Sequence, residues 1–259
     1  MLSRMKELEQ LHILDELPEK KIYPIKKAQD EIARLEEVSI NKNPNDWDKK
    51  WEMDVVKISY LNSRSLLDKF HHVRSDQSLR QSDILVLAET WIPKDSVEDK
   101  RYELEGYEAH FNSTGRGKGL ALFFKNEIEN VTDYNEDKIN ITMLECEGFD
   151  IITVYRSDEG SLDVLVCKLL EILNLSKSTV VVGDMNVCNK KRSDNLLKTF
   201  LEELGFKESV KQATHIEGGH LDHAYILNVG NFKENPVIQL VPKYYSDHDA
   251  LCICLRKTS

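Results

Sequence analysis

The stretch STVVVGDMNV, Ser178–Val187, places an acid and an amide directly after a run of β-branched residues. A short run of this kind predicts a strand that is covered on one face or on both. Asp184 and Asn186 fit poorly inside a strand, but at its end a period of two would direct both side chains to the same side. The alternative is that Gly-Asp-Met-Asn forms only a turn leaving the strand. The rest of the chain has to decide between these interpretations.

Apolar runs of similar length recur on both sides of this stretch, from Asp54 onward. The runs suited to strands are VVKISYL, DILVLAE, YEAHF, GLALFF, INITMLEC, DIITVY, TVVVGD, LDHAYIL, VIQLV and ALCICL. Helix-like segments between them are SLLDKFHHVRSDQSL, LDVLVCKLLEIL and SDNLLKTFLEELGF. Many strands, several of them adjacent in sequence, with few helices predict packed sheets flanked by helices and not a regular βαβ repeat.

The bulk properties of the 259-residue chain are those of an ordinary soluble globular protein, with 41% hydrophobic and 31% charged residues. No apolar run approaches the length needed to cross a bilayer, so we expect no membrane association. The formal net charge of −10 argues against broad electrostatic attraction to nucleic acid. It does not exclude a nucleic-acid enzyme, because a bound metal ion reverses the local field of a carboxylate-rich site.

The cysteines and the N-terminus both indicate an intracellular protein. The N-terminal stretch MLSRMKELEQLHILDELPEKK is charged throughout and lacks the pattern of a signal peptide. No pair of cysteines has the spacing of metal ligands, and their number is odd. We therefore expect reduced, buried thiols. The five are Cys146, Cys167, Cys188, Cys252 and Cys254.

The composition changes near residue 45 and predicts three parts. Residues 1–45 are charged and carry leucine and isoleucine at helical spacing, so we expect a helical appendage. The polar, turn-rich stretch NKNPNDWDKKWE marks the change, and we place a linker at residues 46–53. The main domain then spans residues 54–259.

Polar residues that could carry chemistry stand at the ends of several predicted strands. Each alone has an ordinary explanation, because Asn or Asp at a strand end is usually a turn residue and a Tyr there usually packs. Their order along the chain is more specific than any single member. In chain order they are Asn62, Glu89, Tyr155, Asp184, Asn186, Asp222, Ser246, Asp247 and His248.

This ordered set, with GDMN and SDHDAL as its strongest pieces, resembles the endonuclease/exonuclease/phosphatase superfamily over roughly Val55 to Leu255. The resemblance implies an α/β, DNase-I-like four-layer sandwich. Two mostly antiparallel sheets would pack face to face, with helices outside and the site across one end. The strand at Ser178 would then deliver Asp184 and Asn186 to a shared catalytic rim.

Four further stretches are similar to proteins of transposable elements. LNSRSL and STGRGKGLALFFKN resemble segments of apurinic-type endonucleases carried by such elements. The N-terminal MLSRMKELEQLHIL and KKIYPIKKAQDEIARLEEV resemble the tail of Pif-type helicases, as joined to an endonuclease in Helitron-type transposases of the Helentron group. The chain has no G-x-x-x-x-G-K-[ST] loop, so we expect no ATPase activity by that route.

The superfamily resemblance implies a metal site at the rim. Glu89 would be the main metal ligand, Asn62 would lie close by and hold metal or phosphate, and Asp247 would assist the metal. Mg²⁺ is the expected cofactor because it prefers hard oxygen ligands and needs few protein contacts, and Mn²⁺ is its expected substitute.

The resemblance also implies catalytic roles. Asp184 would orient and deprotonate the attacking water, and Asn186 would position that water or the phosphate. His248 would face the phosphate as a protonated donor. Asp222 would fix the tautomer of His248 and favour its charged form. Tyr155 would donate to a phosphate oxygen.

These roles imply a DNA endonuclease derived from a transposable element, acting on DNA in the nucleus and needing no protein partner. Two alternatives stay open. One is another phosphoesterase of this fold, such as an RNA deadenylase, an inositol-phosphate phosphatase or a sphingomyelinase. The other is a catalytically silent transposon remnant. LNSRSL and GLALFFKN favour DNA, and the complete polar set disfavours the remnant.

Three histidines also cluster in THIEGGHLDH, at His215, His220 and His223. A zinc site is conceivable from such a cluster. No cysteine lies nearby in sequence and Gly218-Gly219 is typical of a turn, so the sequence favours a turn over metal binding.

Overall fold

The computed structural model describes residues 55–67, 69–93, 100–112, 115–125, 128–187, 195–233 and 236–258. The predicted helical appendage at 1–45 and the linker at 46–53 lie outside these residues, as does Cys188. Among the described helices, none combines the length and apolar character needed to span a membrane.

The described residues form twelve strands, four α-helices and one 3₁₀-helix. The strands are β1 (Val55–Asn62), β2 (Ile84–Ala88), β3 (Glu108–Asn112), β4 (Leu120–Phe124), β5 (Asn130–Glu136), β6 (Ile139–Cys146), β7 (Phe149–Arg156), β8 (Ser178–Asp184), β9 (Lys207–Glu208), β10 (Asp222–Leu227), β11 (Val237–Val241) and β12 (Ala250–Arg256). The helices are α1 (Phe70–Ser75), α2 (Gln77–Arg80), α3 (Leu162–Ile172) and α4 (Asn195–Glu203), and the 3₁₀-helix is Lys100–Tyr102.

The strands form two six-stranded sheets. The first has the spatial order β11-β12-β1-β2-β4-β3, and the second has the order β5-β6-β7-β8-β10-β9. Each sheet contains one parallel pair, β1 with β2 and β7 with β8, and its other described pairs are antiparallel. The predicted architecture of two mostly antiparallel sheets is therefore confirmed.

The central strands are apolar on both faces because both faces are covered. All seven residues of β8 are buried. Val180 and Val182 belong to the core between the two sheets, whereas Val181 packs with Leu165 of α3 and Leu201 of α4 on the outer face. Alternate residues of β8 thus face opposite sides of the sheet and pack into two apolar layers. This explains the continuous valine run.

Helix α3 shows how one helical face is selected for burial. Ser161 caps it, accepting a hydrogen bond from the backbone N–H of Val164. Leu165 and Leu169, four residues apart, face the sheet and are buried. Cys167 lies about half a turn from Leu165 and is exposed. The expectation that the cysteines are all buried is therefore wrong at Cys167.

Gly183 of β8, one residue before Asp184, lies close to the backbone of Val154 in β7. A Cβ built at Gly183 would lie 1.8 Å from the carbonyl oxygen of Val154, far inside contact distance. Glycine is thus required here by the close approach of the two backbones.

Candidate active site

Strand ends from both sheets meet at one end of the sandwich. Asn62 ends β1 in the first sheet, and Asp184 ends β8 in the second. The strand register sets Asp222 of β10 across from Asp184 and sets Tyr155 of β7 beside it on the other flank. The structure therefore brings these predicted residues to one rim.

The Asn62 side chain links the two sheets at this rim. Its Nδ2 donates to Oε1 of Glu89 at 2.9 Å and to Oδ2 of Asp184 at 2.8 Å. Its Oδ1 accepts from the backbone N–H of Arg64 at 3.0 Å. A second link comes from Tyr60, whose hydroxyl oxygen accepts from the backbone N–H of Asp184 at 2.7 Å. The two hydrogen bonds from Asn62 hold both carboxylates in position, and the bond to Tyr60 holds the backbone of Asp184.

The backbone at the rim adopts conformations that are rare for residues with a Cβ. Glu89 has a φ of 48°, Trp91 of 57° and Asn186 of 49°. Each left-handed residue of this kind costs on the order of 1 kcal/mol, and such residues cluster at functional sites. Glu89 is the first residue after β2, and its left-handed backbone directs the carboxylate toward Asn62.

The Asp184 carboxylate is buried between hydrogen-bond donors and a second carboxylate. Its Oδ1 accepts from the backbone N–H of Asn186 at 3.0 Å. Burial raises the pKa of Asp184, and the neighbouring charge of Asp222 raises it further, although His248 opposes the shift. A carboxylate with a raised pKa is suited to accept a proton near neutral pH.

His248 and Asp222 form a buried pair. Nδ1 of His248 lies 2.7 Å from Oδ2 of Asp222, and Nε2 lies 4.0 Å from Oδ2 of Asp184. Burial alone would lower the pKa of His248. The hydrogen bond and charge of Asp222 outweigh burial, and the pKa of His248 rises to about 9. The imidazole is therefore cationic at neutral pH, with Nε2 on the side of Asp184.

Asp247 lies beside this pair on the more exposed side of the rim. Its Oδ2 pairs with the guanidinium of Arg64 and lies 3.4 Å from Nε2 of His215. Burial would raise the pKa of Asp247, but the charges of His248 and Arg64 outweigh it and lower the pKa. Asp247 is therefore ionised at neutral pH.

Asn186 and Tyr155 reach the rim with polar atoms already engaged. Strand β8 ends at Asp184 and a turn follows, so both interpretations of the opening stretch hold in part. Nδ2 of Asn186 donates to the carbonyl of Arg156 at 2.7 Å. The Tyr155 hydroxyl donates to the carbonyl of Gly117 at 3.2 Å. Burial, and then the charge of Glu89, raise the pKa of Tyr155.

Sequence reasoning missed several residues that support the rim. Tyr60 lies within a strand and gave no signal, whereas Arg64 was visible in LNSRSL but had no assigned role. Lys69 donates to the backbone carbonyl of Arg64 at 3.1 Å. His215 was grouped with the other histidines of its stretch, but an isolated β-bridge pairs it with His248. Only the fold could reveal that pairing.

The rim fits a divalent metal ion. Oδ1 of Asp222 and Oδ1 of Asp247 are buried and accept no hydrogen bond within the described part of the chain. Together with Glu89, these acids supply carboxylate oxygens, which are the ligands that a hard ion such as Mg²⁺ or Mn²⁺ prefers.

A family model places this fold and rim among known proteins. The model of the Endonuclease/Exonuclease/phosphatase family matches residues 61–248, which is more than half of the chain. The chain belongs to the endonuclease/exonuclease/phosphatase family. Residues 61–248 include every residue that we assigned to the candidate site of this chain, from Asn62 to His248.

Solved structures with the fold of this family cover most of the chain. An AP endonuclease from Archaeoglobus fulgidus is 19% identical with a TM-score of 0.62, over 76% of this chain and 98% of that one. The endonuclease domain of TRAS1, a telomere-specific non-LTR retrotransposon, is 13% identical with a TM-score of 0.60, over 79% and 100%.

A third structure is the 3′ phosphatase NExo from Neisseria, bound to product DNA hairpin. It is 16% identical with a TM-score of 0.61, over 76% of this chain and 98% of that one. At these identities the similarity shows the shared fold. No curated protein sequence matches this chain.

Proposed function

We propose that this chain is a Mg²⁺-dependent phosphodiester hydrolase and that its substrate is DNA, which it cuts as an endonuclease. One observation carries the proposal. Asn62 joins Glu89 of one sheet to Asp184 of the other, and the buried pair of His248 and Asp222 lies against Asp184. A proton acceptor, a cationic donor and metal-ligating oxygens thus share one rim, as hydrolysis of a phosphodiester requires.

Glu89 and Asp247 would hold the metal, with Asn62 beside them. When bound there, Mg²⁺ would offset the negative charge of the scissile phosphate and stabilise the leaving oxygen. The open carboxylate oxygen of Asp247 and the fixed position of Glu89 support this assignment.

Asp184 would act as the general base. Its raised pKa and its rigid hydrogen bonds suit it to take a proton from a water molecule as the water oxygen bonds to phosphorus. The bond from phosphorus to the leaving sugar oxygen breaks in the same displacement. Asn186, held against the backbone of Arg156, would keep the turn around that water in place.

His248 would stabilise the charge on the phosphate. Its Nδ1 is committed to Asp222, so its Nε2 hydrogen is available to a phosphate oxygen near Asp184. The raised pKa keeps that hydrogen in place at neutral pH. Tyr155, on the opposite flank, would donate a second hydrogen bond after leaving the carbonyl of Gly117.

DNA is the proposed substrate class, and a transposable element the proposed origin. The stretches LNSRSL and GLALFFKN support both proposals. Arg64 and Lys69 lie next to the acidic rim and would contact phosphates that flank the cut. A nuclear site of action follows from this substrate and is part of the proposal, as is the helicase-like origin of the N-terminal residues.

A substrate panel tests the proposal. The full-length chain is incubated with supercoiled plasmid, a duplex containing an abasic site, poly(A) RNA and inositol phosphates, each with Mg²⁺ or with EDTA. We expect Mg²⁺-dependent nicking of plasmid or abasic duplex, and no nicking by Asp184→Asn. Turnover of only RNA or inositol phosphates would replace DNA as the substrate. No turnover of any of the four would favour the silent remnant.

A further inference from the structure

A second cluster of potential metal ligands lies outside the active site, at the edge of the second sheet. It contains Glu208 of β9, His223 of β10 and His220 of the loop before β10. Each offers one ligand atom, and the three atoms lie within 4.8 Å of one another. His223 follows Asp222 directly, so period two sends their side chains to opposite faces of the sheet.

His223 is oriented like a metal ligand. Its ring is fully buried, and its Nε2 lies 2.8 Å from the carbonyl oxygen of Val187. A carbonyl only accepts, so Nε2 carries a hydrogen and donates it. A ligating histidine commonly donates its other ring N–H in this way, which fixes the tautomer and aims the free nitrogen at the metal.

The other nitrogen of His223 faces a carboxylate. Its Nδ1 lies 3.0 Å from Oε1 of Glu208. Two acceptor atoms at that distance repel each other unless a proton or a metal ion lies between them. The position of Glu208 therefore requires a positive centre close to Nδ1.

His220 points a second nitrogen at the same carboxylate. Its Nε2 is buried, finds no hydrogen-bond partner among the described residues, and lies 3.8 Å from Oε1 of Glu208. An unpaired nitrogen in a buried place is costly unless something binds it. The rings of His220 and His223 are 4.4 Å apart between centroids, which disfavours protonation of both.

The other oxygen of Glu208 is held separately, because Nζ of Lys198 donates to Oε2 at 2.9 Å. Oε1 is therefore the oxygen that faces the two imidazoles.

The spacing also suits a small tetrahedral ion. Zinc bound at about 2.0–2.2 Å in tetrahedral geometry separates neighbouring ligand atoms by roughly 3.3 Å. The observed separations of 3.0 Å and 3.8 Å bracket that value. Two imidazoles and one carboxylate are a zinc ligand set known from enzyme sites, where water takes the fourth position, so this cluster would hold zinc with three protein ligands.

We propose that Glu208, His220 and His223 form a zinc site, separate from the catalytic rim, that stabilises the fold. The ion would anchor β9, a strand of only two residues, to β10 and to the loop before it. Through the hydrogen bond from His223, it would also hold Val187, three residues after Asp184.

Zinc titration of the full-length chain tests the proposal. His248→Gln serves as the background, because both clusters of potential metal ligands at the rim include His248 and would otherwise compete for zinc. After removal of metal by EDTA and dialysis, we expect one equivalent of Zn²⁺ to bind by calorimetry. The melting temperature should rise by about 5 °C or more at a hundredfold excess over Kd. Co²⁺ in place of Zn²⁺ should give the visible absorption of a tetrahedral site.

His220→Gln in the same background should lose the bound equivalent and the thermal shift. His110→Gln is the matched control, because His110 is a partly exposed histidine paired with Asp133 on distant strands. It should keep both. Zinc bound equally by the His220 variant, or no thermal shift in the parent, would overturn the proposal.

The unsubstituted chain gives a second measurement should the His220 variant fold poorly. Long-range ¹H–¹⁵N NMR reports the protonation of each ring nitrogen. With Zn²⁺ added, His223 should keep its Nε2 hydrogen while Nδ1 carries none. If Nδ1 stays protonated in the presence of Zn²⁺, the cluster is an ion pair and the zinc site is refuted.

Discussion

At the scale of single residues, the Asp184 carboxylate lowers the stability of the fold but is needed for the proposed reaction. Burial, and then the charge of the neighbouring Asp222, raise the pKa of Asp184, so ionisation of this carboxylate costs stability. In Asp184→Asn the shape and the hydrogen bond from Asn62 can be kept while the charge is removed. We expect nicking to fall at least about 100-fold, as for loss of a general base. In EDTA the melting temperature should not fall.

The control for this variant is circular dichroism, which should be unchanged. A variant that keeps more than about a tenth of the parent rate would remove Asp184 from the role of base. A clear loss of melting temperature in EDTA would show that the carboxylate stabilises the fold, contrary to the repulsion inferred here.

Glu89 has a strained backbone conformation, and its proposed role in metal binding would explain why this residue is strained. Glu89→Gln retains an oxygen but loses the charge that a divalent ion needs. We expect the Mg²⁺ concentration for half-maximal activity to rise about tenfold or more, measured by plasmid nicking over a Mg²⁺ series. An unchanged Mg²⁺ dependence would place the metal elsewhere.

The sequence predicted the identity of the rim residues better than their contacts. Asn62, Asp184, Asp222 and His248 do converge, because strand ends of a sandwich share an edge. The link from Tyr60 to Asp184 could not be predicted. It depends on how far apart the two sheets pack, which no local pattern encodes.

At the scale of elements, the pairing of β8 with β10 sets Asp222 across from Asp184 and gives the site its pH response. His248 has a raised pKa, so its contribution to stability is complete below the unfolded value of about 6.5. That contribution is lost as pH rises through about 9. The raised pKa of Asp184 changes stability in the same direction. As pH rises and this buried carboxylate ionises, the free energy of unfolding falls.

Asp222→Asn removes the main cause of the raised pKa of His248 and the second of the two causes that raise the pKa of Asp184, after burial. In EDTA, the free energy of unfolding of the parent should fall between pH 6.5 and 9, and that fall should be much smaller in the variant. Urea unfolding across this range measures it, with His110→Gln as the control histidine variant. Equal slopes in parent and Asp222→Asn would show that the two residues are not coupled.

The contact between β7 and β8 gives a prediction about packing. In Gly183→Ala the new Cβ would overlap the carbonyl of Val154, so the strands must separate. We expect a loss of more than about 3 kcal/mol in the free energy of unfolding. Gly106→Ala is the control, since Gly106 has a positive φ of 81° but no atom near the added Cβ. It should cost only about 1 kcal/mol. Equal losses would contradict the close approach.

Elements with a strong apolar pattern were predicted and those without one were missed. The buried strands β2, β4 and β8 have continuous apolar runs. Strand β5, NVTDYNE, lies at a sheet edge and is largely exposed, so hardly any apolar signal marks it. Strand β9 has two residues and exists only through its pairing with β10.

At the scale of the whole molecule, every proposed catalytic residue lies beyond residue 54. We therefore predict that a chain lacking residues 1–45 hydrolyses DNA at nearly the rate of the full chain. Plasmid nicking by both chains at equal concentration measures this. Loss of soluble, folded protein on deletion would show that the N-terminal residues belong to the hydrolase core.

The pairing of β1 with β12 has a consequence for when the site can act. On the ribosome, Asn62 emerges almost two hundred residues before His248 and the strand that follows it. The site needs both, and it also needs the two sheets to be docked. A nascent or half-degraded chain would therefore carry the same acids without the assembled site. The proposed hydrolysis can begin only after β12 has paired with β1.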